Sequence, residues 1–405
     1  MRVVVNQLAA LGQKTGIGHY TSQLLRCLHD CSKPGEVEAY PEGLLRSARE
    51  TFTRVRPYLE GSRSAGPGPA AANQPRFRWR ARAVGMLRQV GRAVIGAHFR
   101  LTCAQKGFTL YHETNFIPLP CDKPTIATIH DLSVLLHPEW HPIDRVRHFE
   151  KHFHAGLSRC VHYLAISEYA RQEIIQTLHL PPEKVTRTYM GIRPGLGPRP
   201  ESEVYATLRR LNLPERYLLY LGTIEPRKNV LTLLRAYCAL PEKVRSRWPL
   251  LLVGGWGWNT EAVSEYYHAV AKHRGVQHVG YVADADVAAL YTGARALAYP
   301  SIYEGFGLPP IEMMACGGAV LAGTAGAIVE TVGRKADLIP PRDLDGWRQA
   351  LLRVVTDDDW WQHLRTGVED VARPYTWDAC AADTLRAYQL VAGELPAKRE
   401  YRAAG

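Results

Sequence analysis

The chain has 405 residues, of which 46% are hydrophobic, and a globular protein of this length is expected to form two to three domains. Its net charge of +11 is compatible with nucleic acid, an anionic membrane or acidic small molecules, so charge alone selects no partner. No apolar run reaches the roughly 18 residues of a membrane-spanning helix, and the scattered cysteines include no C-x-x-C pair, so we expect a cytoplasmic protein with reduced thiols.

The first elements of the chain predict an α/β domain. Met1–Asn6 predicts a buried strand, and a glycine turn containing Gly16 and Gly18 leads into a helix predicted over 19–31. Glycines at such a turn let the backbone approach a ligand closely, although a tight turn between strand and helix explains them equally well. A nicotinamide-binding domain would need G-x-G-x-x-G here, and the chain offers only Gly16-Ile-Gly18.

The segment 61–100 interrupts the alternation of strands and helices. Residues 61–75 are rich in Gly, Pro, Ala and Ser and predict a flexible surface loop. The stretch 76–100 carries seven arginines and neither Asp nor Glu, with apolar residues between them at helical spacing. This pattern predicts helices that lie on an anionic membrane surface, the alternative being ordinary helices packed on the domain. Because no nucleic-acid-binding motif accompanies the arginines, we expect no nucleic acid partner.

Polar residues then end a buried strand. Pro124–Asp131 predicts a strand that finishes in His130 and Asp131, where open α/β sheets place their ligand contacts. A strand is also predicted over Val161–Ser167, with Ser167 capping a helix over Glu168–Leu178. His130 is therefore a candidate for the site, although a single histidine at a strand end is often structural.

A proline-rich junction, Pro194–Pro214, precedes a second series of strands and helices. Tyr217–Leu221 predicts its first strand, and the following turn carries Arg227 and Lys228 before a helix. Two adjacent cations at this place can hold a diphosphate, lysine as a point charge and arginine as a planar fork. The alternative is a solvated pair.

The most informative stretch is a strand, a glycine turn and a helix near residue 300. The apolar run 294–299 predicts a buried strand, and Pro309 opens a helix after the glycines. Backbone N–H groups at such a helix N-terminus favour phosphate. Glu304 and Glu312 flank the turn, and carboxylates accept hydrogen bonds from hydroxyl groups rather than bind phosphate. A nucleotide sugar offers both groups. The alternative is that Glu304 is a surface residue and Glu312 a charge near the helix N-terminus.

The sequence Glu304-Gly-Phe-Gly-Leu-Pro-Pro-Ile-Glu312 resembles the E-x7-E motif of retaining glycosyltransferases of family 4. That resemblance implies an α/β protein of GT-B fold, with two doubly wound Rossmann-like domains facing a central cleft. The implied organisation is an acceptor-side domain at 1–195 with the insertion 61–100, a nucleotide-sugar domain at 196–376, and a helix at 377–395 that returns to the first domain.

The resemblance also implies roles for individual residues. His130, Glu304 and Lys228 would be catalytic, with Glu304 on the hydroxyls of the donor sugar and Lys228 on the diphosphate. The residues implied to bind the donor are Arg227, Lys228, Gly305, Phe306, Gly307, Leu308, Glu312, Gly16, Gly18 and Val282. No metal and no further cofactor are expected. Asp284-Ala-Asp286 has the spacing of the D-x-D motif that metal-dependent transferases use, but it lies at the wrong place in the chain by comparison with the family.

The implied reaction is retaining transfer of a hexose from a nucleoside diphosphate to a hydroxyl of a glycan or lipid-linked acceptor. The segment Gly222–Asn229 resembles members that use GDP-mannose to build bacterial surface polysaccharide, and UDP-glucose or UDP-N-acetylglucosamine is the alternative donor. Thr223 stands where the family often has a donor arginine, so a non-catalytic nucleotide-binding scaffold stays open. Met190 and Arg193 depart from the family's N-G-[IV]-D strand end, so no donor contact is assigned to them. The expected location is the cytoplasm, with 76–100 at the inner face of the membrane.

Overall fold

The computed structural model describes residues 1–11, 16–43 and 94–393. The loop predicted at 61–75 and the basic segment before residue 94 lie outside these described residues. Two compact units are formed, one by Met1–Ile129, His152–Leu164 and Ala381–Gly405, the other by His130–Lys151 and Ala165–Cys380. This division assigns 130–151 and 165–195 to the second unit, and the predicted domain boundaries at 195 and 376 stay a prediction.

The first sheet has six strands, which we number β1 to β6 in chain order. They are Val3–Asn6, Val37–Tyr40, Leu110–Glu113, Thr125–Ile129, Cys160–Ala165 and Val185–Arg187. Their order across the sheet is β2-β1-β3-β4-β5-β6, and β1 lies parallel to both β2 and β3. The strands predicted at the start of the chain, before His130 and before Ser167 are confirmed with slightly shorter bounds. The edge strand β2 was not predicted, because its sequence Val-Glu-Ala-Tyr contains no continuous apolar run.

The second sheet consists of strands β7 to β12, at Leu218–Leu221, Leu250–Val253, Val276–Gly280, Leu297–Tyr299, Val320–Gly323 and Asp337–Ile339. Their order is β12-β11-β10-β7-β8-β9, so the chain builds one half of the sheet outward from β7 and the other outward from β10. Ligands of open parallel sheets bind beyond the carboxyl ends of the strands at such a reversal. The turns after β7 and β10 therefore form the expected place for a site.

The predicted helix Glu168–Leu178 is confirmed, and the Ser167 hydroxyl accepts a hydrogen bond from the Ala170 amide as its cap. The described chain contains helices at Gly16–Cys31, 94–105, Ser133–Leu136, Ile143–Leu157, Glu168–Leu178, Glu201–Arg210, Val230–Cys238, Glu242–Arg247, Glu261–Ala269, Asp284–Gly293, Leu308–Ala315, Ala327–Val332, Leu344–Thr356, Asp358–Arg365, Val368–Ala372 and Trp377–Val391. In this part of the chain no helix has both the length and the apolarity needed to cross a membrane.

One helix lies inside the segment predicted as a plain junction. Glu201–Arg210 follows Pro200 and buries Val204 and Leu208. Acidic residues in its first turn and arginines in its last turn complement the helix dipole. The prolines and glycines before residue 201 concealed this helix, because they dominate the local composition.

Two glycines bring the ends of β7 and β8 into contact. Gly222 donates its amide hydrogen to the Val253 carbonyl at 2.9 Å, and Gly254 has a φ of +134°. A Cβ atom on Gly254 would lie 2.1 Å from the Gly222 carbonyl oxygen, which is closer than any side chain permits. Glycine at 254 therefore fixes how closely the turn after β7 can lie against the neighbouring turn.

We expect Gly254→Ala to lower the free energy of unfolding by at least about 2 kcal/mol, because the methyl group must push backbone aside and φ is unfavourable for alanine. Urea denaturation of the purified chain measures the change. The matched control is Gly255→Ala, since nothing lies within 4 Å of a Cβ at Gly255 and the expected change is under about 0.5 kcal/mol. Equal stability of the two variants would contradict the proposed backbone contact.

Candidate active site

Hydrogen bonds join the turns that follow β7 and β10. A short 3-10 turn, Pro226–Lys228, ends at Asn229, whose backbone is left-handed with a φ of 54°. The Asn229 side-chain amide donates to the Pro300 carbonyl at 3.1 Å, and the Ile302 amide donates to the Arg227 carbonyl at 2.8 Å. These bonds place the cations of the first turn against the carboxylate of the second.

The Glu304 carboxylate is buried at the junction of the two turns, with only 5% of the residue exposed. Its Oε1 atom accepts hydrogen bonds from Ser301 Oγ at 2.7 Å and from the Tyr299 hydroxyl at 2.8 Å. Lys228 Nζ donates to the same oxygen and to the Tyr299 hydroxyl at 2.6 Å. Glu304 and Lys228 therefore form a buried ion pair within a network of hydroxyl groups.

Arg227 completes this charged cluster. Its Nη1 atom donates to Glu304 Oε2 at 2.8 Å, and its Nε atom donates to Glu225 Oε1 at 2.7 Å. Glu225 and Lys228 are each more than nine-tenths buried. The adjacent cations therefore contact two buried carboxylates, and the alternative of a solvated pair is wrong.

Burial and the neighbouring cations act in opposite directions on Glu304. Burial raises the pKa of a carboxyl group, but the charges of Lys228 and Arg227 outweigh burial here and lower the pKa of Glu304 to about 2. Burial also lowers the pKa of Lys228, while Glu304 opposes that effect. Glu304 is consequently ionised at neutral pH, and its negative charge holds two cations at the end of the sheet.

Glu312 lies in a different environment on the helix Leu308–Ala315. Its Oε2 atom accepts a hydrogen bond from the Tyr291 hydroxyl at 3.1 Å, and its Oε1 atom lies 3.4 Å from Arg193 Nε. Only 1% of Glu312 is exposed, and this burial raises its pKa while Arg193 opposes the shift. The alternative interpretation of Glu304 as a surface residue is wrong, because both glutamates are buried in polar networks.

The glycine turn between them, 305–308, lies against His130. A Cβ atom on Gly305 would lie 1.9 Å from the His130 carbonyl oxygen, so only glycine allows this approach. Gly307 has a φ of +90°, and it precedes the helix that begins at Leu308. None of the amides of 305–308 donates to a described residue. Since Pro309 and Pro310 lack N–H groups, these amides are the donors at the start of the helix.

The other predicted donor residues are distributed over both units. Phe306 is buried, with its ring edge-on to Tyr375 at 5.4 Å. Val282 is buried just before Asp284, whose carboxylate lies 3.8 Å from Arg193 and thus near Glu312. Gly16 and Gly18 belong to the first unit, in the first turn of its first helix. The donor-binding roles of these residues stay predictions.

The structure identifies site residues that the sequence did not suggest, namely Tyr299, Ser301, Glu225, Asn229, Tyr291 and Arg193. Four of them lie within five positions of Glu304 or Lys228, so proximity to a motif could have found them. Arg193 lies 119 positions from Glu312, and no local pattern predicts their contact.

Asp284 and Asp286, which have the D-x-D spacing, each contact an arginine side chain. Both residues lie in the first turn of the helix Asp284–Gly293, and Asp286 accepts a hydrogen bond from Arg210. Within the described ranges, no three His, Cys, Asp or Glu side chains form a group that could hold a metal ion.

Comparison with known families divides the chain into two matching regions. Residues 16–196 match the family model for Glycosyltransferase Family 4, and residues 208–367 match the one for Glycosyl transferases group 1. The second region contains Lys228, Glu304 and Glu312.

Similar proteins carry related names. An O-antigen chain mannosyltransferase B from Escherichia coli is 35% identical over 284 residues, which cover 70% of this chain and 74% of that protein. A serotype-specific mannosyltransferase, WbdA, from Escherichia coli is 27% identical over 272 residues; these cover 64% of this chain but only 33% of that protein. The crystal structure of Anabaena Alr3699/HepE in complex with UDP and glucose superposes with a TM-score of 0.66 at 17% identity, covering 97% of this chain and all of that one.

We expect Glu304→Gln to lower the free energy of unfolding by about 3 kcal/mol at pH 7, because two buried cations lose their charged acceptor. Folding lowers the pKa of Glu304 from its ordinary 4.5 to about 2. Its stabilising contribution is therefore complete above about pH 5 and is lost as the pH falls towards 2.

Urea midpoints of wild type and Glu304→Gln between pH 7 and pH 2.5 test this expectation, with Glu150→Gln, at an exposed helix position, as the control. The difference in urea midpoint between wild type and Glu304→Gln should become smaller below pH 5. A gap that stays constant over this range would show that ionisation of Glu304 does not contribute to stability.

Proposed function

The chain belongs to the group 1 and family 4 glycosyltransferases and has the GT-B fold, and we propose that it transfers a hexose with retention of anomeric configuration. The donor is a nucleoside diphosphate sugar, and the acceptor is a hydroxyl group of a glycan or of a lipid-linked saccharide. The observation that carries this proposal is the buried cluster of Glu304, Lys228 and Arg227 beside the amides of the glycine turn, which donate to no residue that the structure describes.

We infer that the donor is GDP-mannose and that mannose is the sugar transferred. Two similar proteins from Escherichia coli are named mannosyltransferases, one of them for the O-antigen chain. The turn Gly222–Asn229 supports the same inference through its resemblance to GDP-mannose-dependent members. A UDP-sugar is the alternative, because the structurally similar HepE is described with UDP and glucose.

The cluster fits the charge that develops when the donor bond breaks. Departure of the diphosphate builds negative charge on its oxygens, and preplaced positive groups stabilise that charge more in the transition state than in the ground state. Lys228 has three N–H donors, of which Tyr299 and Glu304 take two, so the third is available for a phosphate oxygen. Arg227 and the amides of 305–308 add donors, and this positive charge performs the role that a metal ion has in other transferases.

The two glutamates fit the hydroxyl groups of a nucleotide sugar. Glu304 Oε1 already accepts from three donors, whereas Oε2 accepts from Arg227 alone among the described residues and retains capacity for a sugar hydroxyl. Glu312 lies eight positions further on the helix and is assigned to the ribose hydroxyls. In this proposal the departing phosphate takes the acceptor proton, so no side chain is assigned as general base, and His130 contacts the donor sugar.

Thr223 bears on the alternative of a non-catalytic scaffold. The side chain at this position is exposed and neutral, so it supplies no charge to a diphosphate. Arg227 donates hydrogen bonds to Glu304 and Glu225 in the carboxylate network, and it supplies a positive charge in place of the missing arginine. Binding of a nucleotide without turnover would favour the scaffold.

Release of GDP or UDP from a panel of nucleotide sugars tests the function directly. We expect the highest rate with GDP-mannose, a low rate with UDP-glucose and UDP-N-acetylglucosamine, and no requirement for added metal. No turnover with any donor, in the presence of a mannose-terminated acceptor, would contradict the assignment as an enzyme.

Lys228→Ala is the variant for this assay, and exposed Lys243→Ala is its matched control. Loss of one donor to the developing charge lowers turnover by about 100- to 1,000-fold. Lys243→Ala should keep the wild-type rate. Equal rates for both variants would remove Lys228 from the reaction.

Membrane association through 76–100 is the second part of the proposal. Of this segment the structure describes only 94–100, where Phe99 is buried and Val94 is exposed. We expect liposomes with anionic lipid to sediment the protein at low salt but not at high salt, because the arginines attract negative headgroups. Neutral liposomes are the control, and equal sedimentation with both would contradict the proposal.

A further inference from the structure

An aromatic cluster lies beside the turn that carries Glu304, and the proposed reaction does not use it. We call His137, Trp140, His141, Trp258 and Tyr303 the aromatic shelf. The rings of His137 and Trp140 stack at 3.9 Å with an angle of 15° between their planes. Tyr303 lies 5.7 Å from His137 and 6.1 Å from Trp140. Trp258 extends the cluster, because its indole N–H donates to the Trp140 carbonyl at 2.8 Å.

The shelf is continuous with the proposed site of transfer. Tyr303 immediately precedes Glu304, and its carbonyl oxygen accepts a hydrogen bond from Arg227 at 3.4 Å. The Tyr303 hydroxyl accepts a hydrogen bond from the Leu132 amide at 3.0 Å and donates to Glu173. These bonds fix the ring, while the two tryptophans remain partly exposed. A molecule stacked on the tryptophans would therefore lie next to the donor cluster.

A polar atom of the shelf has no partner among the described residues. The Ser133 hydroxyl donates to Asp131 Oδ1 at 2.7 Å and lies 3.0 Å from His141 Nε2. Since its hydrogen is used on Asp131, Ser133 Oγ accepts from His141 Nε2–H, and His141 Nδ1 carries a lone pair. Only 7% of His141 is exposed, and its Nδ1 atom makes no hydrogen bond within the described chain. This acceptor matches a hydroxyl group.

The charges around the shelf disfavour an anionic ligand. Asp131, Glu139 and Glu173 contribute three carboxylates, against Arg145, over the Trp258 ring at 4.8 Å, and Arg227, which donates to the Tyr303 carbonyl. Burial lowers the pKa of His141, and the charge of Arg145 lowers it further, so this imidazole is neutral at pH 7. Carboxylates and a neutral imidazole accept hydrogen bonds from hydroxyl groups, and the carboxylates repel phosphate.

We propose that the aromatic shelf binds a neutral pyranose ring of the acceptor saccharide. The C–H face of the sugar packs on the Trp140 and Trp258 rings, and its hydroxyl groups donate to His141 Nδ1 and to the carboxylates at the border. This inference rests on the proposed function for the direction of transfer, but binding of a saccharide to the shelf can be measured without any reaction.

Saturation-transfer NMR with the methyl glycosides of mannose, glucose, galactose and N-acetylglucosamine tests the proposal, with GDP present at saturation. We expect at least one glycoside to bind the wild-type chain. Trp140→Ala should weaken that binding about tenfold, because a stacked ring is lost. Trp140→Phe keeps a flat ring and should retain most of the affinity, so a specific loss in the alanine variant is separated from misfolding.

Trp360→Ala is the matched control, since Trp360 stacks on His363 in the helix Asp358–Arg365, outside the shelf. It should bind the glycoside as wild type does. Binding of no glycoside, equal binding by Trp140→Ala, or tighter binding of mannose 6-phosphate than of methyl mannoside would overturn the proposal.

Two readouts separate this inference from the proposed function. In a transfer assay, Trp140→Ala should raise KM for the acceptor about tenfold. Calorimetry with GDP measures the affinity of the donor half of the site for the nucleotide. Glycoside binding without any turnover of nucleotide sugars would contradict the function but retain the shelf. Turnover with an unchanged acceptor KM in Trp140→Ala would contradict the shelf but retain the function.

Discussion

The carboxylate of Glu304 is the group on which the rest of the site depends. It is buried at the reversal of strand order between β7 and β10, where it accepts hydrogen bonds from Lys228 and Arg227. A buried charge of either sign would be costly alone, so each partner requires the others. The ion pair of Lys228 and Glu304, two residues 76 positions apart in the sequence, holds together the turns that follow β7 and β10.

This arrangement explains how one fold offers both positive and negative groups to a single ligand. Glu304 stays ionised because two cations contact it, whereas burial raises the pKa of Glu312 on the following helix. The glycine turn between them presents amides without partners among the described residues. In the proposed function, the phosphate and hydroxyl groups of a nucleotide sugar therefore have different partners within one turn and one helix.

Part of this site could be predicted from the sequence. The apolar run, the glycines and Pro309 specify strand, turn and helix locally, so Glu304 and Glu312 were placed correctly beside the turn. Contacts between distant segments could not be predicted, since neither the pairing of Arg193 with Glu312 nor the stacking around Trp140 leaves a periodic signal. Short edge strands such as Val37–Tyr40 were not predicted either, because pairing with a neighbouring strand and not a local sequence pattern forms them.

In the proposed complex, the diphosphate of a nucleotide sugar contacts Lys228 while Lys228 and Arg227 keep their bonds to Glu304. A crystal structure of the chain with GDP-mannose, or with a fluorinated analogue that does not react, would locate the diphosphate. We predict a phosphate oxygen within hydrogen-bonding distance of Lys228 Nζ and of the 305–308 amides, with a sugar hydroxyl on Glu304. A nucleotide bound elsewhere, with Lys228 contacting only Glu304 and Tyr299, would contradict it.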